Sequence, residues 1–215
     1  MLCLFKKVIK KAINLGKEVL GIPRTAELDF SSIIYPEDVG LDPQQVYRSS
    51  PSGNVYLSNL LADMGISKSD SILDIGAGKG SAMRTMIEFP FKKVAGIEIS
   101  EHIAKITKRN FKILKSKNVW IYNCNAVKFE KYSEYNFFYF YNPFPSDVMV
   151  NVIKNIYDST LRSVNEIIII YNNPTCHNEI VCNTNFIKIK EYPDEWGNKI
   201  FIYSNRDDCE SRLSG

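Results

Sequence analysis

The stretch Ile72-Leu73-Asp74-Ile75-Gly76-Ala77-Gly78-Lys79-Gly80 decides the fold. A short apolar run, Ser71–Ile75, reads as a buried strand, and a helical pattern over Ser81–Phe89 follows it directly, stopped by Pro90. Glycines at alternate positions let the backbone turn sharply and approach a ligand where any Cβ would obstruct. The third glycine follows the second after one residue, giving GxGxG. The dinucleotide pattern GxGxxG would need glycine at position 81, which is Ser81, so a nicotinamide-dependent oxidoreductase is disfavoured. Asp74 stands two positions before the first glycine of the turn.

Strand and helix periods alternate outward from this turn. A helix over Val55–Met64 ends at Gly65 and precedes it. A second strand, Lys93–Ile99, leads to a helix that Ser100 can cap and that runs to about Lys115. Strands follow at Asn118–Asn123 and Phe137–Tyr141, then a helix over Ser146–Leu161. Glu166–Tyr171 holds four consecutive isoleucines, the composition of a strand buried on both faces. Phe186–Tyr192 and Lys199–Ser204 are strands around a hairpin loop. The expected fold is α/β: a Rossmann-like, doubly wound, mostly parallel sheet of seven strands closed by an antiparallel C-terminal hairpin. Residues 54–205 form this domain. Residues 1–53 comprise an amphipathic helix over 2–20 and an irregular, proline-punctuated cover segment, and 206–215 read as a frayed tail.

At 215 residues, 45% hydrophobic and 24% charged, the chain has the composition of one ordinary globular domain. Its net charge of +3 neither demands nor excludes a polyanionic partner. Five scattered cysteines without a CxxC spacing suggest neither a disulfide framework nor a zinc site, and fit a reducing, cytoplasmic compartment. No segment approaches the roughly 18 consecutive apolar residues of a spanning helix.

The second strand ends Gly96-Ile97-Glu98-Ile99-Ser100, placing a carboxylate about 20 residues beyond the glycine turn, where it can accept both hydroxyl protons of a ribose. Asp-x-Gly-x-Gly-x-Gly followed by this acid resembles class I S-adenosylmethionine-dependent methyltransferases over residues 54–204. The resemblance implies S-adenosyl-L-methionine as cofactor, held by Asp74, Gly76, Ala77, Gly78, Gly80, Glu98 and Ile99. It implies that Asp74 orients the loop and the methionine end. Cys124-Asn125-Ala126 stands where the family commonly has Gly-Asp-Ala, so Asn125 and Ala126 fall at the adenine, with an amide oxygen replacing the usual carboxylate. More narrowly, Tyr47 with Ser50-Pro51, the Gly-Lys-Gly turn, Phe140–Phe144 and Tyr171–Pro174 look like a group of small bacterial methyltransferases distantly similar to the Dot1-type histone-lysine enzyme.

Ligands of an open parallel sheet bind beyond the carboxyl ends of its strands. Asn142-Pro143-Phe144-Pro145, after the fourth strand, is partly similar to the N-P-P-[YF] motif of amino-methyltransferases. In that motif the asparagine and a backbone carbonyl hold the target nitrogen. Asn142 is therefore expected to contact acceptor or cofactor. His177, after the fifth strand, is the histidine expected at the active edge, and an imidazole suits proton removal from a hydroxyl.

Lys105, Lys108, Arg109, Lys112 and Lys115 line one side of a helix. With no aromatic residue interleaved except Phe111, they read as a solvated face, and nucleic acid is not expected as a partner. The lysine-rich helix at residues 1–21 would pack on the domain or lie on an anionic inner-membrane surface. The expected activity is methyl transfer to an oxygen or nitrogen of a small molecule or glycan precursor. The alternatives are a protein-lysine or RNA methyltransferase, or a non-catalytic S-adenosylmethionine-binding protein.

Overall fold

A computed structural model describes residues 28–161, 163 and 165–206; the expected N-terminal helix and the tail beyond 206 lie outside the described residues. Strands β1 (Ser71–Ile75), β2 (Lys93–Glu98), β3 (Val119–Asn123), β4 (Phe137–Tyr141), β5 (Ile168–Asn172), β6 (Ile187–Pro193) and β7 (Lys199–Ser204) form one sheet in the order β3-β2-β1-β4-β5-β7-β6. The first five run parallel, and β7 is antiparallel to both β5 and β6. Order reverses between β1 and β4, where Asp74 faces Tyr139 and Ile75 faces Phe140 in register. At this switch point the connections diverge to opposite sides, and a cleft opens above the strand ends.

Helices α1 (Val55–Asp63), α2 (Ser81–Met86) and α3 (Glu101–Ile113) cover one face. Leu57, Leu60, Leu61, Met83, Met86 and Phe111 bury there against Ile72, Val94, Tyr139 and Ile170. Helices α4 (Ser146–Thr160) and α5 (His177–Asn183) cover the other, with Val152, Ile153, Ile156 and Ile180 on Leu73, Ile97, Phe138 and Ile169. Ile168, Ile169 and Ile170 are wholly buried, as four isoleucines in a central strand require. Each such side chain contributes about 1.5–3 kcal/mol by leaving water. Asn54 caps α1 by accepting from the N–H of Leu57 (3.1 Å), and Ser100 caps α3 at Ile103 (3.3 Å).

The helices after β1 and after β5 differ most from the sequence reading. α2 closes at Met86, because Glu88 and Phe89 donate to Thr85 and Met86 and tighten the last turn ahead of Pro90. α5 was legible only as a loop, since seven residues are too few to show a helical period.

The cover segment crosses the carboxyl edge of the sheet. Ile34 and Ser49 exchange backbone hydrogen bonds across it, and Pro36–Val39 is one 3-10 turn closed by Gly40 at φ +71°. Its start is bolted to the glycine turn. The Lys79 side chain, 2% exposed, pairs with Asp29 at 2.8 Å and donates to Ser32. The Asn110 amide accepts from the Asp29 N–H and donates to the carbonyls of Asp29 and Lys79.

Candidate active site

A cleft with an empty volume of about 1170 Å³, its open mouth included, lies between the cover segment and the ends of β1, β2, β3 and β4. Gly76, Ala77, Glu98, Ile99, Asn125 and Ala126 line it, so six of the expected cofactor residues converge.

Each glycine of the turn meets a different neighbour. Gly76, at φ +80°, is exposed to the cleft, and a Cβ there would fall 2.6 Å from Pro143 Cβ. Gly78, at φ +52°, backs onto the hydroxyl of Ser49. Gly80, at φ +84°, lets α3 approach, because its Cβ would meet Phe111 at 2.6 Å and Thr107 at 2.9 Å. Of the three, Gly76 lines the cleft, whereas Gly78 packs on the cover segment and Gly80 on α3.

Glu98 is 6% exposed, and both its oxygens are engaged. Oε2 accepts from the Gly78 N–H (3.0 Å) and Oε1 from the Ser100 N–H (2.8 Å). Burial pushes its pKa up against the opposing effect of these backbone donors. The Ile99 N–H is a third backbone partner of this carboxylate, which keeps acceptor capacity at the cleft. Asn125 Oδ1 accepts from the Val127 N–H (2.8 Å), starting the 3-10 turn Ala126–Lys128 and leaving the amide oxygen one lone pair.

Asp74 does not reach the cleft wall. It is 3% exposed, beside Tyr139 in register and on the Glu98 side of the sheet. Burial first, and the Glu98 charge second, push its pKa up to about 8.

Asn142 adopts a left-handed backbone, φ 41°, at the exit of β4. Its Oδ1 accepts from the hydroxyls of Thr175 (2.6 Å) and Tyr171 (3.3 Å). Pro143 and Phe144 line the cleft beside it, and the Pro143 carbonyl accepts from the Tyr47 N–H (3.0 Å). His177 is not brought to the cleft. It opens α5 instead of sitting in a loop, with Nδ1 2.8 Å from the Tyr203 hydroxyl and its ring edge-on to Phe201.

The cover segment contributes residues that sequence periodicity could not reach: Tyr35, Tyr47, Arg48 and Ser50. The Ser50 hydroxyl is buried without a hydrogen-bond partner among the described residues, which suits a polar ligand in the cleft. S-adenosylmethionine fits these donors and acceptors: bare backbone at Gly76, a carboxylate at Glu98, an amide at Asn125 and an apolar wall from Ile99, Ile103 and Val127.

The family model for ribosomal RNA adenine dimethylase matches residues 54–183, from α1 through α5. Similar solved structures include the ribosomal protein L11 methylase of Lactobacillus delbrueckii subsp. bulgaricus, at 15% identity and TM-score 0.55, covering 77% of this chain and 83% of that one. An rRNA methylase from Streptococcus thermophilus shares 15% identity at TM-score 0.50, covering 68% and 91%. A Haemonchus contortus phosphoethanolamine N-methyltransferase, solved with S-adenosylhomocysteine, shares 18% at TM-score 0.52, covering 66% and 39%. No curated protein matches the sequence.

The family match overturns the expectation that nucleic acid is no partner. That expectation rested on reading one lysine-lined helix side as a solvated face, but a base can be taken into the cleft of the catalytic domain itself. Joined to the fold and the glycine turn, the match identifies the chain as an S-adenosylmethionine-dependent methyltransferase belonging to the ribosomal RNA adenine dimethylase family.

Proposed function

We propose that the chain methylates a nitrogen of an RNA base, the exocyclic amine of adenine. The observation that carries this reading is the Asn142-Pro143-Phe144 turn, wedged by Pro143 against Gly76 and lying within the family match. The turn thereby sets an acceptor site directly beside the cofactor site.

When bound, S-adenosylmethionine supplies an electrophilic methyl group, and the chain supplies position. An exocyclic amine shares its lone pair with the ring, so it attacks better when its N–H groups are held by acceptors. The Pro143 carbonyl keeps one lone pair free of Tyr47. The Asn142 amide is held by two hydroxyls that donate or accept equally well, so turning the amide releases its oxygen to the acceptor. Tyr35, Tyr47 and Tyr141 supply aromatic faces along the mouth of the cleft for stacking. As the N–CH3 bond forms, the S–CH3 bond breaks and S-adenosylhomocysteine leaves. The acidic methylated nitrogen gives its proton to water, so no general base is needed, which agrees with His177 lying elsewhere.

The test is transfer of labelled methyl groups into total RNA, total protein and a small-molecule extract. Label in RNA, recovered as methylated adenosine after nuclease digestion, is expected. Label confined to protein or small molecules would refute the reading.

A further inference from the structure

Helix α3 carries Lys105, Lys108 and Lys112 exposed along one side, and exposed Lys115 follows two residues beyond its end. Its second half lies against β3, which ends the sheet and pairs only with β2. A shallow groove runs between them, lined by Lys108, Lys112, Lys115, Ser116, Val119 and Ile121. The other face of the same strand presents Trp120, 42% exposed, and Tyr122. Lys93 Nζ stands 5.3 Å from the Trp120 ring and 5.7 Å from Tyr122, and Lys131 stands 5.8 Å from Tyr122. The aromatics that the helix sequence lacks are thus supplied by its neighbouring strand.

Charge on this edge is uneven. Glu101 pairs with Lys105 (2.7 Å) and lies close enough to Lys108 to feel its charge, while Glu134 holds Lys93 (2.6 Å). Positive charge therefore accumulates toward Lys112 and Lys115, across the edge strand from the exposed indole. The strand itself runs into Cys124 and Asn125, which line the cleft. Three strand spacings of about 4.8 Å separate this edge from β4 and the acceptor turn, a span that a few nucleotides cover.

We propose that the α3–β3 edge is a docking track for RNA, with phosphates on Lys108, Lys112 and Lys115 and an unpaired base on Trp120. The proposal rests on the RNA reading of the active site and extends it from the target base to the flanking strand. Basic side chains with an interleaved aromatic are the footprint of single-stranded nucleic acid binding. A lysine-guarded edge strand that merely avoids aggregation would look similar but would not bind RNA.

A short fluorescein-labelled, adenine-containing single-stranded RNA is the probe, read by anisotropy over a salt series. The variants are K108Q/K112Q/K115Q, W120A and a control removing lysines elsewhere, K154Q/K188Q/K199Q. The first should flatten the slope of log affinity against log salt by about 2, from about 0.7 per lost phosphate contact, and weaken binding tenfold or more at low salt. W120A should weaken binding roughly tenfold without changing the slope. The control should leave the slope unchanged, and every variant should keep its melting temperature and its affinity for S-adenosylhomocysteine. Equal slopes and affinities in the first variant and the control would overturn the track, as would a wild-type chain that binds no RNA. RNA methylated with the same KM by wild type and K108Q/K112Q/K115Q would remove the track and keep the proposed function. RNA bound through these residues but never methylated would keep the track and remove the proposed function.

Discussion

Glu98 at the end of β2 holds Gly78 of the glycine turn through a 3.0 Å hydrogen bond from the glycine N–H. The carboxylate that lines the cleft therefore also sets the shape of the loop beside it. Its second oxygen does the same for Ser100 at the start of α3. Glu98→Ala should lose a charge-assisted contact to the cofactor and loosen the turn together. The expected cost in S-adenosylhomocysteine affinity is about tenfold to a hundredfold, measured by calorimetry. Glu98→Gln keeps the volume but places an amide N–H against one backbone donor, so it should recover only part of the loss. Unchanged affinity in both would show that the cofactor does not use this strand end.

Gly76 and Gly80 divide one turn between cleft and core. Gly76→Ala drives a methyl group into Pro143 beside the cleft at an equally left-handed φ, and should weaken cofactor binding at least tenfold as well as lower the melting temperature. Gly80→Ala meets Phe111 and Thr107 in the core, and its left-handed backbone adds about 1–2 kcal/mol of strain. Denaturant melts should show it destabilised by about 2–4 kcal/mol, once overpacking is included, with cofactor affinity per folded molecule nearly preserved.

This division also shows what the sequence could reveal. Glycine spacing, Asp74 and the Ile167–Ile170 run point to the doubly wound sheet, because local backbone demands and burial are written residue by residue. Glu98 and Asn125 were legible because strand ends fix their height above the sheet. Tyr35 and Arg48 were not, and Tyr47 and Ser50 stood out only through the resemblance, since an irregular segment has no period and its path depends on distant anchors such as Lys79 with Asp29. His177 was misplaced for a related reason: nothing local told that Tyr203, 26 residues on, would hold its ring.

Those anchors can be tested directly. Lys79 is 2% exposed and Asp29 33% exposed, so the two partners are unequal. Removing the acid strands a buried ammonium, whereas removing the lysine leaves a carboxylate that water can reach. Asp29→Ala should cost about 3 kcal/mol in a urea melt, and Lys79→Met clearly less. Limited proteolysis should cut the cover segment faster in both. Equal costs would mean that Asp29 does not satisfy Lys79.

Asp74 predicts a pH dependence. Its folded pKa near 8 stands far above the ordinary 3.8, so between these values the folded chain keeps a proton that the unfolded chain has released. Stability from this group is complete below about pH 4 and falls as pH rises toward 8. Glu98, also raised, acts with the same sign. Asp74→Asn should reduce the downward slope of melting temperature over about pH 5–8 without abolishing it. A wild-type chain that gains stability over that range would contradict the burial of this carboxyl.

Asn142 and His177 divide the acceptor chemistries between them. If a nitrogen is methylated, the damaging change is Asn142→Ala, because the amide and its strained backbone position the amine. Loss of one preorganised hydrogen-bonding group at a reacting centre commonly costs on the order of a hundredfold in kcat, and that is the expected size. Asn142 does not line the cofactor cleft, so S-adenosylhomocysteine affinity should change little. Alanine at φ 41° also adds strain, so Asn142→Gly provides the control that keeps the backbone and removes only the amide. His177→Phe keeps the ring against Phe201 and gives up the bond to Tyr203. It should cost about 1 kcal/mol of stability and leave the pH profile of methyl transfer unchanged. A hydroxyl acceptor reverses both expectations: His177→Phe would then slow turnover by about 10²–10⁴-fold, while Asn142→Gly would stay active. Turnover of labelled methyl groups by the three variants, on whichever fraction wild type labels, therefore reads the acceptor atom from the protein side.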